Sequence, residues 1–179
     1  MKNKIISLIL KLFFFFIFTL QLNASEQAWD LAQEGNKIIL IRHSLAPGGG
    51  DPAGFKIDDC KTQRNLDQIG INQSKKIGKI FRENKIKIDQ VLSSQWCRCK
   101  DTARYAFKNF DEFSALNSTF SPPYDKKEKK QIKDLKNFVK NWSGKGGNLV
   151  LVTHYVVITA VTSTAPSSGE MVIVDRNFN

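Results

Sequence analysis

Lys37-Ile38-Ile39-Leu40-Ile41-Arg42-His43 is the stretch that decides the fold. A short apolar run rich in β-branched residues, ended abruptly by two polar ones, has the pattern of a strand buried on both faces of a parallel sheet. Upstream, residues 26–34 predict a helix, with Trp29, Leu31 and Ala32 apolar and Gly35-Asn36 as its stop. Downstream, residues 46–54 are rich in Gly and Pro and predict a loop. Leu66, Ile69, Gln73, Ile77, Ile80 and Phe81 then recur at three- and four-residue spacing, with Gln73 the one polar member, which predicts an amphipathic helix over 67–83. A strand over 88–92 follows, ending at Ser93-Ser94, then a helix over 96–107. Residues 111–127 hold two prolines and few periodic apolar positions, so an irregular excursion is expected there. Ile132, Leu135, Phe138, Val139 and Trp142 mark a further helix, closed by the glycines of 144–147, and strands follow at 148–152 and 171–174. Strands alternating with helices predict an α/β fold: a three-layer sandwich with a mostly parallel central sheet flanked by helices.

The amino terminus stands apart. Lys2, Lys4 and Lys11 precede or punctuate an apolar run that includes Leu12-Phe13-Phe14-Phe15-Phe16-Ile17-Phe18, and Ala24 closes the segment. A basic start, a short apolar centre and a small residue at the end describe a secretory signal peptide over residues 1–24, removed after Ala24. The competing reading, a membrane anchor, is opposed by the shortness of the run and by Lys11 within it. A mature chain of residues 25–179 in the periplasm or secreted, without stable membrane insertion after cleavage, is therefore expected. Taking 24 residues from 179 leaves 155, enough for one domain with a sizeable core. With 24 basic and 17 acidic residues remaining, the mature charge is +7. The densest run, Lys126-Lys127-Glu128-Lys129-Lys130, reads as the solvated start of a helix. Dispersed lysines without a stacking platform argue against a nucleic-acid partner.

Cys60, Cys97 and Cys99 are the three cysteines. Export implies an oxidising compartment, so one disulfide and one free thiol are expected, with Cys60 joined to Cys97 or to Cys99. Zinc is disfavoured, since Cys-x-Cys lacks the usual ligand spacing, and no metal or other cofactor is expected.

In open α/β sheets ligands gather beyond the carboxyl ends of the strands. Arg42 and His43 follow the first strand, Ser94 and Arg98 the second, and Thr153 and His154 the third. Both histidines of the chain and two arginines thus converge on one region. The set suits a phosphomonoester dianion: guanidinium forks neutralise and hold it with paired hydrogen bonds. A neutral imidazole nitrogen attacks phosphorus in line, and water later hydrolyses the phosphohistidine. Thr153 either donates to the phosphate or simply finishes a strand. Arg64 and Asn65 either orient the nucleophile loop or, for Asn65, cap a helix. Trp96 reads as core and Glu170 as structural.

These residues resemble the histidine phosphatase superfamily, which includes cofactor-dependent phosphoglycerate mutases and many small phosphatases. Arg42-His43 looks like its signature, Ser94-Gln95-Trp96-Cys97-Arg98-Cys99-Lys100-Asp101-Thr102-Ala103 is similar to its Ser-x3-Arg-x3-Thr-Ala motif, and Val152-Thr153-His154 is similar to its second histidine. Ser168-Gly169-Glu170 resembles the start of its last strand. Asp51-Pro52, Asp58-Asp59-Cys60 and Thr62-Gln63-Arg64-Asn65-Leu66 look like an exported bacterial branch, and a related exported branch acts on a phosphorylated heptose of lipopolysaccharide. The resemblance implies a phosphoglycerate mutase-like fold and a phosphatase with His43 as nucleophile, Arg42, Arg98 and His154 completing the phosphate pocket, and a small-molecule phosphate ester as partner. Two departures stand out. Ser44 replaces the glycine that usually follows the histidine, and no glutamate is obvious as the general acid. Asp111, Glu112 and Asp125 lie after the middle motif, and Asp51, Asp58 or Asp59 could serve from the nucleophile loop. Without a strong acid, good leaving groups would be preferred. The rival readings are a phosphohistidine or other protein phosphatase, and a phosphate-binding envelope protein without turnover.

Overall fold

The computed structural model describes residues 28–179, so the expected signal segment lies outside the described residues. The apolar run forms β1 (Ile38–Arg42), which pairs in parallel with β4 (Asn148–Thr153) and antiparallel with β5 (Met171–Val174). On its far side β4 pairs in parallel with β2 (Ile88–Ser93), and β2 with a two-residue β3 (Asp111–Glu112). The sheet order is β3-β2-β4-β1-β5. As expected, it is mostly parallel. Because β4 is the middle strand, all six of its residues are buried, and its Leu-Val run shows no two-residue alternation.

Alternation governs β1 instead. Ile39 and Ile41 face a layer made by α1 (residues 28–34), α2 (Gln68–Glu83) and α3 (Cys97–Phe107), through Ala32, Ile77, Phe81, Ala103 and Ala106. Ile38 and Leu40 face the opposite layer, α4 (Glu128–Asn141) and α5 (Tyr155–Thr162), through Leu135, Val139, Val157 and Ile158. The two-residue strand period thus divides the core into two clusters, one per face. The run of lysines leads through a 3-10 turn (Asp125–Lys127) into α4 and is exposed, as read from the sequence.

Three local features differ from expectation. β3 lies inside the stretch expected to be irregular, and two exposed residues are too few to carry a period. Residues 155–162, for which the sequence predicts no element, form α5; six apolar residues and two threonines, mostly β-branched, have no periodicity that distinguishes helix from strand. Asn65 does not cap α2. Asp67 does, its carboxylate accepting from Gly70 N at 2.8 Å, while the Asn65 amide donates to the Cys60 carbonyl.

Among the described residues no helix is long and apolar enough to cross a membrane. The carboxyl ends of β2, β4 and β1 lie side by side at one edge, and α3, α5 and the loop before α2 start from that edge. Helices α2 and α3 approach closely towards their carboxyl ends: a Cβ added to Gly78 would lie 2.1 Å from the Ala106 carbonyl oxygen. Gly78→Ala is therefore expected to lower unfolding free energy by about 1–3 kcal/mol through overpacking. The usual helix-propensity gain of ~1 kcal/mol acts in the opposite sense. Denaturant melts would show a loss, and a neutral or stabilised variant would contradict this packing.

Candidate active site

His43 sits one residue past β1, and its backbone N–H donates to the Thr153 carbonyl at 2.9 Å, which ties it to the end of β4. Its ring is buried. Nδ1 lies 2.8 Å from the Ser44 carbonyl oxygen. A carbonyl can only accept, so Nδ1 carries the hydrogen and Nε2 presents its lone pair. That lone pair accepts from Arg98 Nε at 3.2 Å. The backbone of Ser44 is held by Thr102, whose hydroxyl accepts from Ser44 N at 3.0 Å. The serine that replaces the expected glycine finds a buried partner, Ser74 Oγ on α2, at 2.8 Å. Gln73, the polar member of the apolar face of α2, accepts from Leu45 N at 2.9 Å and donates to the Ser168 carbonyl at 2.7 Å. It therefore fastens the nucleophile loop to the approach to β5.

Arg98 projects from the first turn of α3 and is 3% exposed. Besides its bond to His43, its Nη2 lies 3.5 Å from His154 Nδ1 and its Nη1 forms an ion pair with Asp51 Oδ1 at 2.7 Å. Asp51 also accepts from Arg64 N at 3.0 Å and, through Oδ2, from the Trp96 indole at 2.9 Å. His154 follows β4, its Nε2 lying 3.0 Å from Ser94 Oγ at the end of β2. Arg42 ends β1. Its Nη1 donates to the Pro166 carbonyl at 2.9 Å, and its guanidinium lies over the Tyr155 ring at 5.1 Å.

A cavity of about 770 Å³ opens over these groups. Arg42, His43, Arg64, Arg98 and His154 line it together with residues 46–55 and most of 118–124, which belong largely to the Gly- and Pro-rich loop and the irregular stretch expected from the sequence. Arg42 Nε and Arg64 Nε are buried and have no hydrogen-bond partner. Unpaired guanidinium N–H groups lining a concave site are the donors an oxyanion would satisfy. Among the described residues no group of three or more His, Cys, Asp or Glu is arranged to hold a metal ion.

Of the site residues expected from sequence, Arg42, His43, Arg98 and His154 are brought together. Thr153 is not: its buried hydroxyl donates to the Leu116 carbonyl at 2.6 Å and it does not line the cavity, so it finishes the strand. Among the proposed acids only Asp51 lines the cavity. Asp59 caps a 3-10 turn, Glu112 pairs with Lys100, and Asp58, Asp111 and Asp125 are exposed elsewhere. Trp96 is core, as expected, but it also binds Asp51. Arg64 reaches the cavity while its Nη1 donates to the Ala46 carbonyl, a role its sequence position only hinted at. Glu170 accepts from Ser167 N, the structural role expected of it. The disulfide joins Cys60 to Cys97, tying the nucleophile loop to the turn that bears Arg98. Cys99 is free and wholly buried, and burial pushes its thiol up to about 12, which leaves it unreactive at neutral pH.

No protein-family profile matches the chain, and no curated protein is similar enough to match. Solved structures do match. The protein histidine phosphatase SixA complexed with tungstate shares 13% identity at a TM-score of 0.55, over 80% of this chain and 91% of that one. A mutant phosphoserine phosphatase from Entamoeba histolytica, in complex with phosphoserine, shares 17% at 0.54, over 76% and 89%. A phosphoglycerate mutase from Plasmodium falciparum shares 17% at 0.50, over 78% and 83%. The chain therefore has the α/β fold of histidine phosphatases and phosphoglycerate mutases, as the resemblance implied.

Electrostatics set the protonation of the site. Burial first, and the Arg98 charge second, push His43 down to about 3, against the opposing pull of the Ser44 carbonyl. The same two causes hold His154 well below its ordinary value. Burial alone would raise the Asp51 carboxyl, but the Arg98 ion pair, with the Arg64 N–H and the Trp96 indole, outweighs it and holds the group below the usual carboxylate range. Both histidines are thus neutral when folded, whereas the unfolded chain protonates them below about pH 6.5. The unfolded state then binds more protons, so stability rises with pH in that range and is lost as pH falls from about 6.5 towards 3. Thermal melts between pH 7 and 5 are expected to show this decline in phosphate-free buffer. A His43→Asn/His154→Asn variant is expected to lose most of the dependence, and an unchanged slope in the variant would contradict the assignment.

Proposed function

We propose that this chain is a phosphomonoesterase that passes the phosphoryl group of a small or envelope-linked ester to His43 Nε2 and from there to water, with no metal ion. One observation carries the reading: Nδ1 is committed to the Ser44 carbonyl, so an unprotonated Nε2 faces a guanidinium-lined cavity. The incoming phosphoryl group displaces the Arg98 Nε–H from the Nε2 lone pair, which forms the N–P bond as the bond to the ester oxygen breaks. Arg42, Arg64 and Arg98 hold the oxygens and their charge, which is most of what a loose phosphoryl transition state asks of a protein. His154 keeps the Arg98 fork in place: the Ser94 hydroxyl donates to Asn117 Oδ1 at 3.2 Å and accepts from His154 Nε2, which leaves Nδ1 to accept from Arg98 Nη2. Water then attacks phosphorus from the cavity side and frees the imidazole.

The similar structures support this reading, since one is a protein histidine phosphatase holding tungstate, a tetrahedral oxyanion like phosphate, and another a phosphoserine phosphatase holding phosphoserine. A walled cavity favours a small ester over a phosphorylated protein surface. The signal-like residues 1–24 and the Cys60–Cys97 disulfide support action outside the cytoplasm. Purified His43→Ala is expected to lose p-nitrophenyl phosphate hydrolysis by about 10³-fold or more while keeping its fold by circular dichroism. EDTA is expected to leave the wild-type rate unchanged. Turnover retained in a folded His43→Ala protein would sink the mechanism.

A further inference from the structure

The reacting phosphoryl group needs little room in a cavity of about 770 Å³, and what surrounds the remainder bears on the leaving group. Phe55, Trp96 and Tyr124 form one aromatic wall, with ring centroids 5.6 Å (Phe55–Trp96), 5.9 Å (Phe55–Tyr124) and 4.8 Å (Trp96–Tyr124) apart. Phe120 and Tyr155, 6.0 Å apart, form another, and Phe120 is 54% exposed, so its ring is open to contact with a ligand. Gly48, Gly49 and Gly50 line the same cavity without side chains, and a Cβ at Gly49 or Gly50 would meet nothing within 4 Å.

Charge narrows the class further. The charged side chains lining the cavity, histidines aside, are three arginines and Asp51. Asp51 is already engaged through both oxygens, by Arg98, the Arg64 N–H and the Trp96 indole, so it offers neither a counter-ion for a substrate ammonium group nor a proton for a leaving oxygen. A leaving group that departs unprotonated must be a stable anion. Phenolate, from a group with pKa about 10, qualifies. An alkoxide, whose conjugate acid is nearly as weak as water at about 15.7, does not.

We propose that the site is built for phosphate esters of aromatic, phenol-like leaving groups, with the leaving ring held against Phe120 and Tyr155. The proposal rests on the phosphatase reading above and narrows it. In the first step His43 Nε2 forms the N–P bond, the aryl P–O bond breaks, and its electron pair leaves on the phenolate, which takes a proton from solvent. In the second, water replaces the imidazole on phosphorus and gives its proton to solvent.

The test is kcat/KM for the purified protein, a parameter that reports the phosphorylation step, across substituted phenyl phosphates and, for comparison, glycerol 2-phosphate and phosphoserine. A fall of about tenfold or more from p-nitrophenyl to phenyl phosphate is expected, with the alkyl esters roughly a hundredfold lower again, because no acid levels the series. Phe120→Ala is expected to raise KM for 2-naphthyl phosphate roughly three- to tenfold, while inhibition by inorganic phosphate, which cannot reach the ring, stays the same. A flat series, alkyl esters as good as aryl ones, or an unchanged naphthyl KM in Phe120→Ala overturns the substrate class. If turnover is instead independent of His43, the phosphatase reading itself fails and takes this proposal with it.

Discussion

Everything at the site turns on one buried cation. The Arg98 guanidinium is almost wholly out of water, and a charge in that position has to be paired and hydrogen-bonded. Asp51 supplies the pairing, and the two histidines accept its remaining N–H groups. Each partner is constrained in return. The imidazoles stay neutral because burial penalises their charged form and, after burial, a proton on either would face the guanidinium at hydrogen-bond distance, while the carboxylate stays ionised because three donors hold it. His43, His154 and Asp51 thus have their protonation states set by burial together with a single side chain.

The surrounding scaffold is arranged to keep that side chain in place. Arg98 leaves the first turn of α3, where Gln63 accepts from Cys97 N at 3.0 Å and the Cys60–Cys97 disulfide fastens the preceding loop. The indole of Trp96, the residue just before the helix, binds the carboxylate that pairs with Arg98. On the nucleophile side Thr102, from the next turn of the same helix, fixes Ser44, and the Ser44 carbonyl fixes the His43 tautomer. One helix therefore sets both the charge beside His43 Nε2 and the geometry of that nitrogen.

The strands and the convergence of Arg42, His43, Arg98 and His154 on one cavity were legible because burial writes itself into sequence. β4 is an uninterrupted Leu-Val run since both its faces are covered, and a polar residue directly after such a run has nowhere to go but the sheet edge where Arg42, His43 and His154 sit. Helix α5 was not legible, because eight residues that are mostly apolar and β-branched carry no period. Thr153 was ambiguous for a related reason: a hydroxyl at a strand end can turn to the cavity or to a neighbouring carbonyl, and Leu116, far off in sequence, decides it. The part played by Asp51 was hidden in a glycine-rich loop whose path depends on Arg98, Trp96 and Arg64, contacts up to 47 residues apart. Gln73 did leave a signal, as the lone polar residue on an apolar helix face.

The central claim is that His43 Nε2 takes the phosphoryl group. The most direct measurement is rapid acid-free quenching of the protein during turnover of a labelled aryl phosphate, followed by mapping of the bound phosphate by mass spectrometry. Acid-labile phosphate on the peptide bearing His43, absent from His43→Ala, is the expected result. Phosphate found on His154 or on another residue, or none at all while turnover proceeds, would contradict it.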